Sequence, residues 1–215
     1  MQKKTYAVLG LGRYGTAVAK ELVKSGMEVI AVDKNEQIVQ DSSAYLPICK
    51  CADITDHEVI SELGISNADV VIVAMASSLE GSILAITLCK EAGVKTVIAK
   101  CANETHRKIL KRVGADMVVF PENESGTRLA KNLLTSGFTD ILTLSDDLSL
   151  VELTARDEWV GKSLKELNLR KKYTVNVVAF RKNGKITAPV NPEELLDKDT
   201  EIIAIVNTAK LSKLK

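Results

Sequence analysis

From residue 5 to residue 120, short apolar runs alternate with segments whose apolar residues recur at helical spacing. The runs cover 6–9, 29–32, 46–51, 70–74, 96–99 and 117–120. They are continuously apolar rather than alternating, the pattern of strands covered on both faces. Between them, 16–24, 36–45, 57–63, 82–91 and 105–113 have helical period, and Gly26, Gly93 and Gly114 stand where helix C-caps belong. Parallel strands require crossover connections, so this order predicts an α/β unit: a doubly wound parallel sheet of Rossmann-like form.

After residue 122 the pattern changes. Residues 123–136 read as a crossover helix, Gly137 breaks the chain, and 138–144 reads as another short helical piece. Ser145-Asp146-Asp147 looks like a junction. Strand candidates follow at 149–155, 175–181, 185–189 and 201–206, with a short helix near 163–167. Asn183-Gly184 supplies positive φ for a hairpin turn. The expected organisation is an N-lobe over 1–122, a crossover helix and linker over 123–147, and a smaller α+β domain over 148–215.

The 215 residues hold 29 Lys+Arg against 28 Asp+Glu, a formal charge of +1. That balance provides no basic field for nucleic acid, which is therefore not an expected partner. The longest apolar stretch, 70–76, is far short of the roughly 20 residues of a membrane span. Strand-like sequence begins almost at Met1, leaving no room for a signal peptide, so a cytoplasmic chain is expected. Cys49, Cys51, Cys89 and Cys101 lack paired metal-knuckle spacing and read as free thiols in a reducing compartment.

Gly10-Leu11-Gly12-Arg13-Tyr14-Gly15 lies between the first strand and the first helix. There Gly10 permits the tight turn, Gly12 lets a phosphate approach the backbone, and Gly15 lets helix and strand pack closely. The helix N-terminus offers N–H groups and partial positive charge to that phosphate. Asp33, 18 residues beyond Gly15, is placed to take bonds from two ribose hydroxyls and to repel a 2′-phosphate. Ligands in such sheets sit beyond the carboxyl edge of the strands. Asp53-Ile54 after the third strand can bracket an adenine, and Met75-Ala76-Ser77 after the fourth is small enough to lie beneath a nucleotide. Arg13, Lys100 and Glu122 are expected at one rim, where two cations and a carboxylate suit a polyphosphate with a divalent ion; a plain Lys100–Glu122 salt bridge is the bland alternative.

GLGRYG after the first strand, VDKN after the second, Cys-Ala-Asp after the third, VAMAS after the fourth, AK after the fifth and GADMVVFPE at the sixth resemble the regulatory subunits of Trk/Ktr-type bacterial potassium uptake systems, the RCK or KTN domain family. The resemblance covers essentially the whole chain. It implies ATP or ADP, and also NAD(H), in the N-lobe, with Arg13 near the terminal phosphates, Asp33, Lys34 and Asn35 at the ribose, and Asp53 and Ile54 at the adenine. Met75, Ala76, Ser77, Lys100, Cys101, Ala102 and His106 would line the remainder, and Glu122 would hold a divalent cation between protomers. Homo-dimers would assemble into an octameric ring beneath a potassium-translocating membrane subunit, making the chain peripheral on the inner face of the membrane. The residues from 123 to 144, with Gly137, would be the hinge. The C-lobe would take cyclic di-AMP, with Arg170, Lys171, Asn176, Val177 and Pro192 as candidates; Lys165 and Lys171 depart from the family's usual aliphatic and small residues. No catalysis is implied. The competing class, an NAD-dependent oxidoreductase, needs an acid, base or polarising group facing the nicotinamide, and the second domain contains no His.

Overall fold

The computed structural model describes residues 4–75, 78–134 and 139–214. The chain divides into two compact units, Met1–Glu122 and Asn123–Lys215.

In the first unit β1 (Thr5–Leu9), α1 (Arg13–Lys24), β2 (Glu28–Asp33), α2 (Glu36–Ser43), β3 (Ile48–Cys51), α3 (His57–Glu62), β4 (Val70–Val73), α4 (Leu79–Glu91), β5 (Thr96–Lys100), α5 (Glu104–Val113) and β6 (Met117–Val119) alternate along the chain. All the strand pairs are parallel, in the order β3-β2-β1-β4-β5-β6. Both faces of the sheet are buried, which is why the runs are continuously apolar. On one face Ala7, Leu9, Val71, Val73, Val97 and Ala99 pack with Ile60, Ile86, Cys89 and Leu110 from α3, α4 and α5. On the other, Val8, Val29, Ala31 and Ile72 meet Ala19, Val18 and Leu22 of α1 and Ile38 of α2. Full burial of a side chain such as Leu9 contributes about 1.5–3 kcal/mol. The chain order reverses between β1 and β4, so a crevice opens at the carboxyl ends of those strands.

Helix α6 runs without interruption from Pro121 to Leu134, and Leu129, Leu133 and Leu134 on it are exposed. In the second unit β7 (Asp140–Thr143), β8 (Leu148–Thr154), β9 (Asn176–Lys182), β10 (Lys185–Thr187) and β11 (Glu201–Asn207) form an antiparallel sheet in the order β10-β9-β11-β8-β7. Short helices α7 (Leu164–Leu167) and α8 (Leu169–Tyr173) precede β9. Trp159 is buried in this unit's core, with the Arg156 guanidinium 4.8 Å from its ring centre. Asn183 and Gly184 take φ of 49° and 75°, closing the β9–β10 hairpin as the dipeptide predicts.

One expectation is corrected. Within the stretch read as helical at 138–144, Asp140–Thr143 is strand β7, paired with β8, and Ser145-Asp146-Asp147 lies in the turn between them. Four residues with Ile141 buried and Leu142 exposed suffice for an edge strand but are too few for periodicity to separate strand from helix. Gly137 lies outside the described residues.

Candidate functional site

The crevice at the switch point is a cavity of about 560 Å³. Gly10, Gly12, Asp33, Lys34, Asp53, Ile54, Met75 and Lys100 line it, joined by Ile38, Thr55, Ser78, Glu80 and Leu84, which the sequence reading did not single out. The signal for Ser78 and Glu80 was present: Ser78 caps α4 by accepting from Gly81 N at 3.0 Å, so the helix begins before residue 82.

The N-terminus of α1 is distinguished from those of α2, α3, α4 and α5 by its lack of a side-chain cap. Helices α2, α3, α4 and α5 are capped by the side chains of Asn35, Asp56, Ser78 and Asn103. Helix α1 starts at Gly12, with no capping side chain and no acid in its first turn. No side-chain cap and no first-turn carboxylate therefore offsets the partial positive charge at this helix N-terminus. Around Gly12 an added Cβ would meet nothing within 4 Å, so the backbone is open to a close approach. At Gly15 a Cβ would lie 1.9 Å from the Gly10 carbonyl oxygen, which fixes glycine there on packing grounds.

Asp33 does two jobs. Its Oδ2 accepts from Leu11 N at 2.7 Å and its Oδ1 from Asn35 N at 2.9 Å, which ties the glycine turn to the end of β2. Each carboxylate oxygen has the capacity to accept a second hydrogen bond. Asp53 Oδ1 takes both the Thr55 hydroxyl at 2.7 Å and the Thr55 amide at 3.0 Å. Those bonds from Thr55 hold its carboxyl below the usual carboxylate range, aided by Lys34, so it stands ionised as an acceptor.

At the far rim Lys100 Nζ lies 2.6 Å from Glu122 Oε1 and 5.8 Å from the Tyr14 ring centre. The hydrogen bond from Lys100 is what chiefly holds Glu122 below its ordinary pKa, with the charge of Arg13 adding to it. Several expected residues are not lining groups. Arg13 and Ala102 are exposed, Tyr14 is half-buried, and Cys101 is buried with its amide bonded to Val119 O. Asn35 caps α2, while His106 is half-buried in the first turn of α5 and its amide donates to Asn103. Ala76 and Ser77 lie outside the described residues. Among the described residues no group of three His, Cys, Asp or Glu side chains could hold a metal ion.

A second cavity, about 370 Å³, lies within the C-terminal unit. Arg170, Asn176, Val177 and Pro192 line it together with Lys165 and Asn168; Lys171 does not. Among the described residues no helix is long and apolar enough to cross a membrane.

The fold and its crevice define a class: a doubly wound α/β domain of the nucleotide-binding type, followed by a small antiparallel domain. The particular family follows from comparison. Residues 6–121 match the TrkA-N domain and residues 148–215 the TrkA-C domain. The chain is 35% identical to the Ktr system potassium uptake protein C of Bacillus subtilis over 99% of its own length and 96% of that protein's. It is 34% identical to the Ktr system potassium uptake protein A of Vibrio alginolyticus, over 99% and 97% of the two lengths. The chain belongs to the RCK-domain family of Trk/Ktr potassium uptake proteins. Among solved structures, the GsuK channel bound to NAD matches 99% of the chain with a TM-score of 0.68 at 17% identity, a likeness of fold. The chain spans 39% of that channel's length, and 47% of the GsuK RCK domain chain, which has the same TM-score.

Proposed function

We propose that this chain is a cytoplasmic regulatory subunit of a bacterial potassium uptake system and gates a potassium-translocating membrane subunit by binding ATP or ADP, or NAD(H), in the switch-point cavity. The observation that carries the reading is the cavity itself: an uncapped glycine-started helix, a ribose-ready Asp33 and an ionised Asp53 around one 560 Å³ space. Similarity to Ktr uptake proteins along nearly the whole of both chains supports a setting in potassium uptake. No bond need be broken in such a role. ATP and ADP differ by one phosphate, and a protein responds to a ligand only through the difference in affinity between its states.

Assembly is part of the proposal. Leu129 and Leu133 stand one turn apart on α6, and Leu133 is 77% and Leu134 80% exposed in the single chain. Apolar exposure of this kind suits burial against a second copy, and we take homo-dimers of this sort to build an octameric ring. One charge-assisted contact contributes about 1.5–3 kcal/mol. Moving a two-state equilibrium from 1:99 to 99:1 takes about 5.5 kcal/mol, so the signal must add across subunits. Glu122 is the proposed ligand of a divalent cation between protomers. The C-terminal cavity, with Arg170 and Asn176, is the proposed site for cyclic di-AMP.

Light scattering on the purified chain with ATP, ADP, NADH or no ligand tests the reading. A nucleotide-sensitive octamer is expected. A monomer or dimer indifferent to all three would remove the regulatory proposal, and NADH oxidation in the presence of small carbonyl compounds would replace it with the dehydrogenase.

A further inference from the structure

Lys34 and Lys100 are the cations among the residues lining the switch-point cavity. Lys34 stands beside Asp33 at the ribose end, whereas Lys100 ends β5, beyond β4. Lys100 is largely covered, with its side chain 14% exposed, and it already has an anion: Glu122 Oε1 at 2.6 Å, on a side chain 63% exposed. A covered ammonium bound to an exposed carboxylate is an asymmetric pair, because Glu122 can turn to water at little cost while Lys100 cannot. Any phosphate that reaches Lys100 from the cavity therefore meets a cation whose charge is already matched. An ammonium has three donors on a flexible stem and no fixed plane, so it can turn from one anion to another.

We propose that Glu122 is an internal competitor for the nucleotide's phosphate: the Lys100–Glu122 pair lowers affinity for phosphate-bearing ligands, and a phosphate that takes Lys100 releases Glu122. This rests on the nucleotide reading of the cavity. Glu122 is the second residue of α6, so the exchange changes the charge contacts at the start of the helix that carries the exposed leucines. The coupling is reciprocal: whatever factor Glu122 takes from phosphate affinity, the phosphate takes from the ion pair.

The test uses the full chain and calorimetry with ADP and adenosine in the presence of EDTA, and its readout is the ratio of the two affinities. In Glu122→Gln that ratio should rise about fivefold, the upper range for a partly exposed ion pair. Glu122→Asp, whose shorter side chain withdraws the carboxylate, should give a smaller rise and provides a second variant should Glu122→Gln fold poorly. In a Lys100→Met background, Glu122→Gln should no longer change the ratio. A fall or no change in Glu122→Gln would overturn the competition and favour a carboxylate that assists the phosphate. An equal rise in the Lys100→Met background would overturn it too, because general removal of negative charge would then explain the effect. Wild-type chain that binds neither ADP nor adenosine would bring down the nucleotide reading and this inference with it, an outcome distinct from tight ADP binding at an unaltered ratio.

Discussion

Two glycines about 4.5 Å of helix rise apart make opposite demands, and exchanging each for alanine separates fold from ligand. At Gly15 the new Cβ would sit 1.9 Å from the Gly10 carbonyl oxygen, whereas real Cβ contacts essentially never fall below 3.0 Å. Either α1 or the glycine turn must therefore move by about 1 Å or more. The turn has little freedom to yield, because Gly10 N is bonded to Val32 O at 2.8 Å and Ala74 Cβ would be only 3.1 Å from the same new methyl. Overpacking against backbone costs about 1–3 kcal/mol, which lowers a thermal midpoint by roughly 2–12 °C in a chain of this size. At Gly12 the backbone is ordinary for any residue, with φ −63°, and nothing lies within 4 Å of the new methyl. The cost there is the weaker helix start, under about 1 kcal/mol. The methyl instead fills the space where a diphosphate must approach, and ADP affinity should fall about tenfold or more. Circular dichroism melts and ADP calorimetry on Gly15→Ala and Gly12→Ala read both quantities. Gly15→Ala melting with the wild type, or Gly12→Ala binding ADP as tightly as the wild type, would refute this account of the turn.

Asp33→Ala should lower stability even without ligand, by about 1–3 kcal/mol in urea unfolding, because the amide of buried Leu11 loses its carboxylate acceptor; an unmoved midpoint would mean that the tie is dispensable. Asp116 accepts from Lys90 Nζ and Val97 N, both at 2.6 Å, and its pKa is lowered chiefly by Lys90. Its stabilisation is therefore fully present above the ordinary carboxylate pKa and is lost as pH falls through the lowered folded value. Wild type should exceed Asp116→Asn in urea stability near neutral pH and converge with it in strong acid; a gap that persisted there would contradict the linkage. Burial pushes the Cys89 thiol up to about 12, whereas Cys51 is exposed, so a thiol-disulfide reagent at neutral pH should label Cys51 in the native chain and Cys89 only after denaturant is added.

The parallel sheet was legible because burial on both faces leaves an unambiguous mark: runs such as Val70-Val71-Ile72-Val73 have no polar side to show. Strand-end positions are equally legible, so Gly12, Asp33, Asp53 and Lys100 could be assigned to one edge before any geometry was known. Side-chain direction was not. Arg13 follows Gly12 directly, yet it is exposed and lies outside the cavity lining, near enough to the rim for its charge to act on Glu122 but not part of the wall. Glu80 and Leu84 were missed for a related reason: they line the crevice only because α4 starts at Leu79, and that start depends on a Ser78 cap easily overlooked beside the more apolar stretch that follows. In the second unit the short α8 begins and ends on positive-φ Asn168 and Thr174, backbone states that residue type alone seldom announces. Strand β7 owes its form to a partner across a turn, which a local window does not contain.

The strand order has a consequence during synthesis. The glycine turn, Asp33 and Asp53 leave the ribosome early, but the wall carrying Lys100 closes only when the fifth strand docks beside the fourth. The crevice is therefore finished only after the chain has been made as far as Lys100, well behind the turn and the two acids that begin it.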